Sequence, residues 1–158
     1  YGKAVPIFLE KYGETLPAVF KKSKLFRGVQ SVVVFAEFFG EKSFAGMHFP
    51  TDQRWNVVLF DTFIKVEFLT PKEFITEFEG LPVAETVYIG NMNESFIDDV
   101  RNSRVDFTSK FEVKTEIPEG VICKGVSHQR VWMAKIKSVL YREELKKRFS
   151  TNWEKLWE

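Results

Sequence analysis

Two long runs of β-branched and aromatic residues, at 30–39 and 55–64, restrict the possible folds of this chain more than any other feature. The first run is too apolar to alternate between a buried and a solvent-exposed face. A strand without a polar side should be covered on both faces, so we expect residues 30–39 to form a buried central strand. The second run predicts another strong strand.

Helical patterns accompany these strands. Residues 6–26 show a helical spacing of apolar side chains, but Gly13 and Pro17 interrupt it, which predicts one imperfect helix or two short pieces. Thr70, Pro71 and Glu73 predict the start of an N-capped helix. The remaining expected elements are a loop at 40–50, a strand at 83–89, a helix at 94–101, strands at 120–124 and 130–138, and a helical tail at 140–157. Since strands and helices do not alternate regularly, we expect an α+β fold, with mainly antiparallel twisted sheets and flanking helices.

The composition limits the class of protein. With 158 residues, 44% of them hydrophobic, the chain is long enough for a single domain with a packed core. The net charge of +1 provides no global field for nucleic acid, so any such binding must use local patches. A single cysteine, Cys123, rules out an internal disulfide and suits a reducing, intracellular setting. We expect neither a membrane span nor a signal peptide. The first residue is Tyr1 rather than Met, which suggests a piece of a longer protein.

Three charged residues near the end of the sequence suggest a phosphate site. Lys135 and Lys137 stand two positions apart on a predicted strand, so their ammonium groups should point the same way, with Ile136 directed into the core. Two like charges side by side repel unless an anion lies between them. Glu119 would hold a metal cation nearby. The simpler alternative is a solvated strand face with an ordinary surface glutamate.

Two further residues are candidates for ligand contacts. Glu37 stands near the end of an apolar strand, where a buried carboxylate needs a partner. It could form a structural ion pair, accept from a ribose hydroxyl or bind a divalent metal. Phe60 could pack in the core or stack under a purine. His48 and His128 have no ligand spacing around them and stay unassigned, and the sequence contains no P-loop, dinucleotide-binding or zinc signature.

Four segments occur in an order that is known from one superfamily: residues 37–40, 60–63, 119–124 and 135–137. In this order they resemble the later motifs of the covalent nucleotidyltransferases, which comprise the ATP-dependent RNA and DNA ligases and the mRNA capping enzymes. The chain is most similar to an RNA ligase of the phage type. The resemblance extends over residues 32–138, and the ordered set is more specific than any one of its motifs.

The resemblance implies a nucleotidyltransferase (ATP-grasp-like) adenylation domain that works in RNA repair. Such enzymes use ATP with Mg²⁺ or Mn²⁺, form a lysyl-AMP intermediate and join 5′-phosphate to 3′-hydroxyl ends of RNA or DNA. By the resemblance, Glu37 contacts the ribose and Phe60 stacks on adenine. Glu119 binds the metal, and Lys135 and Lys137 are the catalytic residues that contact the α-phosphate. A cytoplasmic monomer, in a phage-infected or bacterial cell, is expected.

The sequence departs from the family at the nucleophile. The family's nucleophilic lysine lies in a Lys-x-Asp-Gly motif upstream of the first glutamate, and the segments after Lys3 and Lys11 do not match it. We therefore expect an adenylation domain truncated at its N-terminus, or a degenerate relative that binds nucleotide or RNA without chemistry. A capping-type guanylyltransferase and a DNA ligase are the alternatives within the same fold. The chain by itself should not form the covalent intermediate.

Overall fold

The computed structural model describes residues 2–40, 55–105 and 119–157. They divide into two compact units. The first contains the described residues up to Ala84 together with Gly125–Trp132, and the second contains those of Glu85–Lys124 together with the described residues from Met133 onward. Small antiparallel sheets and five α-helices occur within the described ranges, which confirms the α+β class. No helix in these ranges is long and apolar enough to span a bilayer.

The first unit contains a three-stranded antiparallel sheet in the order β1-β2-β3, with β1 at Val32–Phe39, β2 at Asn56–Ile64 and β3 at Glu67–Phe68. Both strongly predicted strands are confirmed. The prediction that the first of them is a central strand is wrong within the described part of the chain. β1 lies at an edge, and β2 is central because it pairs with β1 on one side and β3 on the other. β1 is also only half-buried, with Val33 and Glu37 exposed.

The predicted interrupted helix consists of two pieces, α1 (Ala4–Tyr12) and α2 (Thr15–Lys22). The break falls at Gly13, between the two helices. Pro17 does not interrupt the second helix, because it is the third residue of α2, where the backbone N–H would have no intrahelical acceptor. The part of the predicted loop at 40–50 that follows Gly40 lies outside the described residues.

The core of the first unit is built from residues of α1, α2 and β2 and of the segments that follow α2 and β2. Its buried members are Tyr12, Leu16, Phe26, Val57, Leu59, Ile64, Leu69, Phe74 and Phe78. Val34, Ala36 and Phe38 of β1 pack against this cluster. Because side chains alternate along a strand, Phe35 and Glu37 lie on the opposite face of the sheet.

Helix α3 (Pro71–Glu77) begins as predicted, with a capping box. The Thr70 hydroxyl accepts a hydrogen bond from the Glu73 N–H at 3.3 Å, and the Glu73 carboxylate accepts one from the Thr70 N–H at 2.9 Å. These two contacts satisfy backbone donors that the first turn of any helix leaves without an intrahelical partner.

The expected strand at 83–89 is wrong. Only Val83 pairs with the sheet, in an isolated parallel bridge to Leu59, and the Ala84 N–H donates to the Leu59 carbonyl at 2.7 Å. Residues 84–89 form no regular structure, and Ile89 is 80% exposed. Beyond this bridge, residues 84–89 are not paired as a strand with β2.

The remaining elements follow the predictions closely. Helix α4 (Glu94–Arg101) is capped by Asn93, and β4 (Gly120–Ser127) pairs with β5 (Arg130–Lys137). Two residues with positive φ, His128 at 50° and Gln129 at 62°, connect these strands, as a type I′ turn requires. The helical tail is confirmed as helix α5 (Val139–Phe149) followed by a 3₁₀ helix (Ser150–Leu156).

Candidate functional site

The alternation predicted for the last strand is present in β5. Ile136 is 9% exposed and faces inward, whereas the side chains on either side of it, Lys135 and Lys137, point the other way. The strand thus presents two ammonium groups on one face.

Glu119 lies between these two lysines. Its Oε1 is 2.5 Å from the Nζ of Lys135 and 3.6 Å from the Nζ of Lys137. The backbone positions the carboxylate, because the N–H of Ser138 donates to the Glu119 carbonyl at 2.8 Å. The anion that the lysine pair requires is therefore supplied by the chain itself. An incoming phosphate would take the same position between the ammonium groups and leave the carboxylate with less compensation.

The two lysines differ in their surroundings. The side chain of Lys135 is 40% exposed, and that of Lys137 only 10%. The Nζ of Lys137 also donates to the backbone carbonyl of Trp157, and it lies 5.0 Å from the centroid of the Trp157 ring. Glu119 and both the carbonyl and the ring of Trp157 thus lie near the charge of Lys137, whereas Lys135, which also contacts Glu119, is more exposed.

Tyr141 also belongs to this group, although it was not among the residues predicted from the sequence. Tyr141 is 2% exposed, and burial together with the nearby negative charge of Glu119 raises its phenol pKa well above the ordinary value. Its backbone N–H donates to the Ser138 hydroxyl at 3.1 Å, which fixes it at the start of α5. The three-residue spacing from a capping serine after the lysine strand was the available signal. No local sequence signal pointed to Trp157, because it reaches Lys137 only through the way the chain folds back after helix α5.

The raised pKa of Tyr141 predicts a specific alkaline instability. The unfolded chain ionises this phenol near its ordinary pKa of about 10, while the folded chain still holds the proton. The stabilisation is therefore complete below about pH 10 and is lost as the pH rises through the folded pKa, at up to about 1.4 kcal/mol per pH unit. Urea unfolding between pH 8 and 11 should show a shallower decline for Tyr141→Phe than for the wild type. Equal slopes would contradict the assignment, and Tyr88→Phe controls for the loss of an exposed hydroxyl.

Glu37 and Phe60 lie in the first unit. Glu37 is exposed rather than buried, so the expected desolvation of its carboxylate is wrong. It pairs in register with Val58 of β2, and on the edge strand its side chain points away from the core. An exposed carboxylate needs no structural partner, which removes the physical reason for an obligatory core ion pair.

Phe60 occupies a β-bulge. The register steps from Phe35 opposite Asp61 to Ala36 opposite Leu59, so Phe60 is the extra residue of β2. Its half-buried ring lies 6.3 Å from the ring of Phe35, which places it on the same sheet face as Glu37. A bulge can redirect a side chain in this way, and bulges are common beside binding sites. Phe60 is thus not a member of the core cluster.

The structure therefore brings the predicted site residues together in two groups. Glu119, Lys135 and Lys137 form one cluster in the second unit, and Glu37 and Phe60 share one sheet face in the first. The convergence of both groups on one nucleotide stays a prediction.

Glu119 is the predicted metal ligand. In the described ranges, no three His, Cys, Asp or Glu side chains are grouped so that they could hold a metal ion. Mg²⁺, however, often binds through one or two carboxylates and completes its shell with water and substrate phosphates. A single carboxylate beside two ammonium groups would fit that chemistry if a substrate phosphate binds there. His128 lies in the exposed turn, with Nδ1 3.0 Å from the Ser127 hydroxyl, and His48 lies outside the described residues.

Comparisons with protein-family models, with curated proteins and with solved structures found no match.

Proposed function

We propose that this chain is the adenylation domain of an ATP-dependent RNA ligase, a member of the covalent nucleotidyltransferases with the corresponding fold. The observation that supports this most strongly is the cluster of Glu119 with Lys135 and Lys137, in which two ammonium groups share one carboxylate oxygen at 2.5 and 3.6 Å. A phosphate that replaced the carboxylate here would meet two ammonium groups that already point to one position. ATP as substrate agrees with the intracellular setting that a single cysteine suggests.

In the proposed reaction, a lysine that lies outside the four segments of the resemblance attacks the α-phosphorus of ATP. A P–N bond forms, the bond to the bridging oxygen breaks, pyrophosphate leaves and the amine releases its proton to solvent. AMP then passes to a 5′-phosphate end, and a 3′-hydroxyl displaces it to seal the strand. Lys135 and Lys137 stabilise the negative charge that develops on the α-phosphate oxygens.

The other residues serve binding. Glu37 accepts a hydrogen bond from a ribose hydroxyl, and the Phe60 ring stacks on adenine, which contributes about 1–3 kcal/mol. Once a phosphate takes over the lysines, Glu119 is available for Mg²⁺ or Mn²⁺. The metal would supply charge neutralisation beside the phosphates.

Nucleotide binding by this chain tests the assignment directly. A charge-assisted contact to phosphate is worth about 1.5–3 kcal/mol, so Lys135→Ala and Lys137→Ala should each weaken ATP binding roughly 10- to 100-fold. Titration calorimetry with Mg²⁺ and ATP measures the effect. Lys72→Ala removes an exposed lysine of α3 and is the matched control. Unchanged affinity in both site variants would refute the phosphate assignment.

A second candidate, a binding module without chemistry, is favoured by the lack of a Lys-x-Asp-Gly motif in this sequence. Transfer of label from α-labelled ATP to protein separates the two candidates. A polypeptide that also carries an upstream nucleophilic lysine should become labelled if the ligase proposal is correct. ATP binding without covalent label in any such polypeptide would favour the binding module. Labelling with GTP instead would indicate a guanylyltransferase, and sealing of DNA rather than RNA ends a DNA ligase.

A further inference from the structure

The ammonium group of Lys137 is covered by a segment of the same chain that follows helix α5. We call this segment, residues 150–157, the strap. Trp157 contacts the Lys137 Nζ twice, with its backbone carbonyl as hydrogen-bond acceptor and with its ring at 5.0 Å. Lys137 is exposed to only 10%, against 40% for Lys135 on the same strand face. One of the two proposed phosphate ligands is therefore shielded from solvent in the ligand-free protein.

Aromatic contacts hold the strap on helix α5. The ring of Trp157 stacks on Tyr141 with 6.4 Å between centroids and 29° between planes. Five residues further along α5, the Nζ of Lys146 lies 4.9 Å from the ring centroid of Trp153. Tyr141 is buried and fixed by the cap at Ser138, so it provides a rigid support for Trp157. These two aromatic contacts attach the strap to the helix, and one of them lies directly at the candidate site.

The covering groups are weaker partners for an ammonium ion than a phosphate is. A neutral carbonyl and an aromatic face solvate a partly buried cation, but neither carries a full negative charge. A phosphate oxygen carries a negative charge, so its contact with the ammonium group is an ion pair as well as a hydrogen bond. Trp157 therefore stabilises Lys137 while no nucleotide is present and can still be displaced by one.

We propose that the strap is an autoinhibitory element, in which Trp157 occupies the phosphate-binding side of Lys137 and must leave before that lysine can bind the α-phosphate. This proposal rests on the proposed function and specifies how the same site is regulated. The apparent affinity for ATP is the intrinsic affinity multiplied by the fraction of molecules with an open strap. Any partner or modification that removes the strap would raise nucleotide affinity.

Chemical modification of Lys137 tests the strap without nucleotide. An amine-reactive acylating reagent, read out by mass spectrometry of peptides, reports the modification rate of each lysine. Loss of a partly desolvated cation–π contact should speed modification of Lys137 about 3- to 30-fold in Trp157→Ala. Lys135 serves as the internal reference, and its rate should not change. Trp157→Phe keeps a ring at this position and should behave like the wild type.

Measurement of ATP affinity in the same variants separates the two proposals. With both correct, Trp157→Ala binds ATP more tightly by about the factor seen in the modification rate. Faster modification of Lys137 without ATP binding in any variant would support the strap and refute the proposed function. An unchanged modification rate in folded Trp157→Ala would overturn the strap, whatever the ATP affinity.

Two further measurements apply if Trp157→Ala does not fold. Trp153→Ala removes the other attachment of the strap and should produce a smaller increase in the Lys137 rate. In the wild-type protein, saturating ATP should speed hydrogen exchange of the Trp157 amide, which donates to the Glu154 carbonyl at 3.2 Å in the closed state. Slower exchange of that amide with ATP bound, or no increase for Trp153→Ala, would contradict the proposal.

Discussion

Gly120→Ala is expected to destabilise the β4–β5 hairpin by about 3–5 kcal/mol. Gly120 has a φ of +147°, a conformation that side-chain-bearing residues rarely adopt. An added Cβ would also lie 1.9 Å from the carbonyl oxygen of Ile136 and 2.8 Å from the Cα of Lys137. These are backbone atoms that cannot rotate away, so the strands would have to separate where Glu119 meets its lysines.

Native-state hydrogen exchange of the β4 and β5 amides measures this effect locally, and urea unfolding measures it globally. Gly80→Ala is the matched control, because Gly80 also has a positive φ, +81°, but an added Cβ there meets no atom within 4 Å. It isolates the backbone strain, about 1–2 kcal/mol. If Gly120→Ala cost no more than Gly80→Ala, the close approach of the two strands at this point would be wrong.

Tyr12→Phe should destabilise the first unit by about 2–4 kcal/mol. Tyr12 is fully buried, and its hydroxyl accepts a hydrogen bond from the Leu59 N–H at 3.1 Å and donates one to the Pro82 carbonyl. Removal of this single oxygen leaves two backbone groups without these partners, and one of them, the N–H of Leu59, is fully buried. Burial also raises the pKa of the Tyr12 phenol, as expected for a hydroxyl held in the core.

Urea unfolding at pH 7 measures the loss in Tyr12→Phe. Tyr88→Phe is the matched control, because the Tyr88 hydroxyl makes an exposed hydrogen bond to the Asn91 carbonyl at 3.2 Å and its removal should cost little. An equally small effect in both variants would mean that the Tyr12 hydroxyl does not connect helix α1 with β2 and the segment before Val83. The ring itself stays in the core in Tyr12→Phe, so the comparison isolates the hydroxyl.

Local patterns in the sequence were sufficient for those elements whose signals lie within a few residues. The capping box of Thr70 and Glu73 needs only a three-residue spacing, and the structure contains both of its hydrogen bonds. The alternation of Lys135, Ile136 and Lys137 likewise determines which side chains share a strand face. That alternation predicts a bound phosphate between the lysines, whereas the structure has the carboxylate of Glu119 in contact with both.

Contacts between distant residues could not be derived in the same way. The apolar run at 30–39 predicts a strand, but its place in a sheet depends on which strands pair with it, and among the described strands it lies at the edge. Residues 83–89 have strand-like composition but form no strand, since only Val83 finds a partner in β2. A propensity describes what a segment can form, whereas pairing depends on the neighbour that the rest of the chain supplies.

By itself the sequence therefore determined the α+β class, most helices and strands, and the shared face of Lys135 and Lys137, because these follow from local periodicity and capping. Only the tertiary structure decided that Glu119 contacts both lysines, that Glu37 is exposed and that Trp157 covers Lys137. Trp157 stands 20 residues beyond the lysine whose ammonium group it binds. A contact of that kind depends on how helix α5 and the strap fold back, which no local pattern specifies.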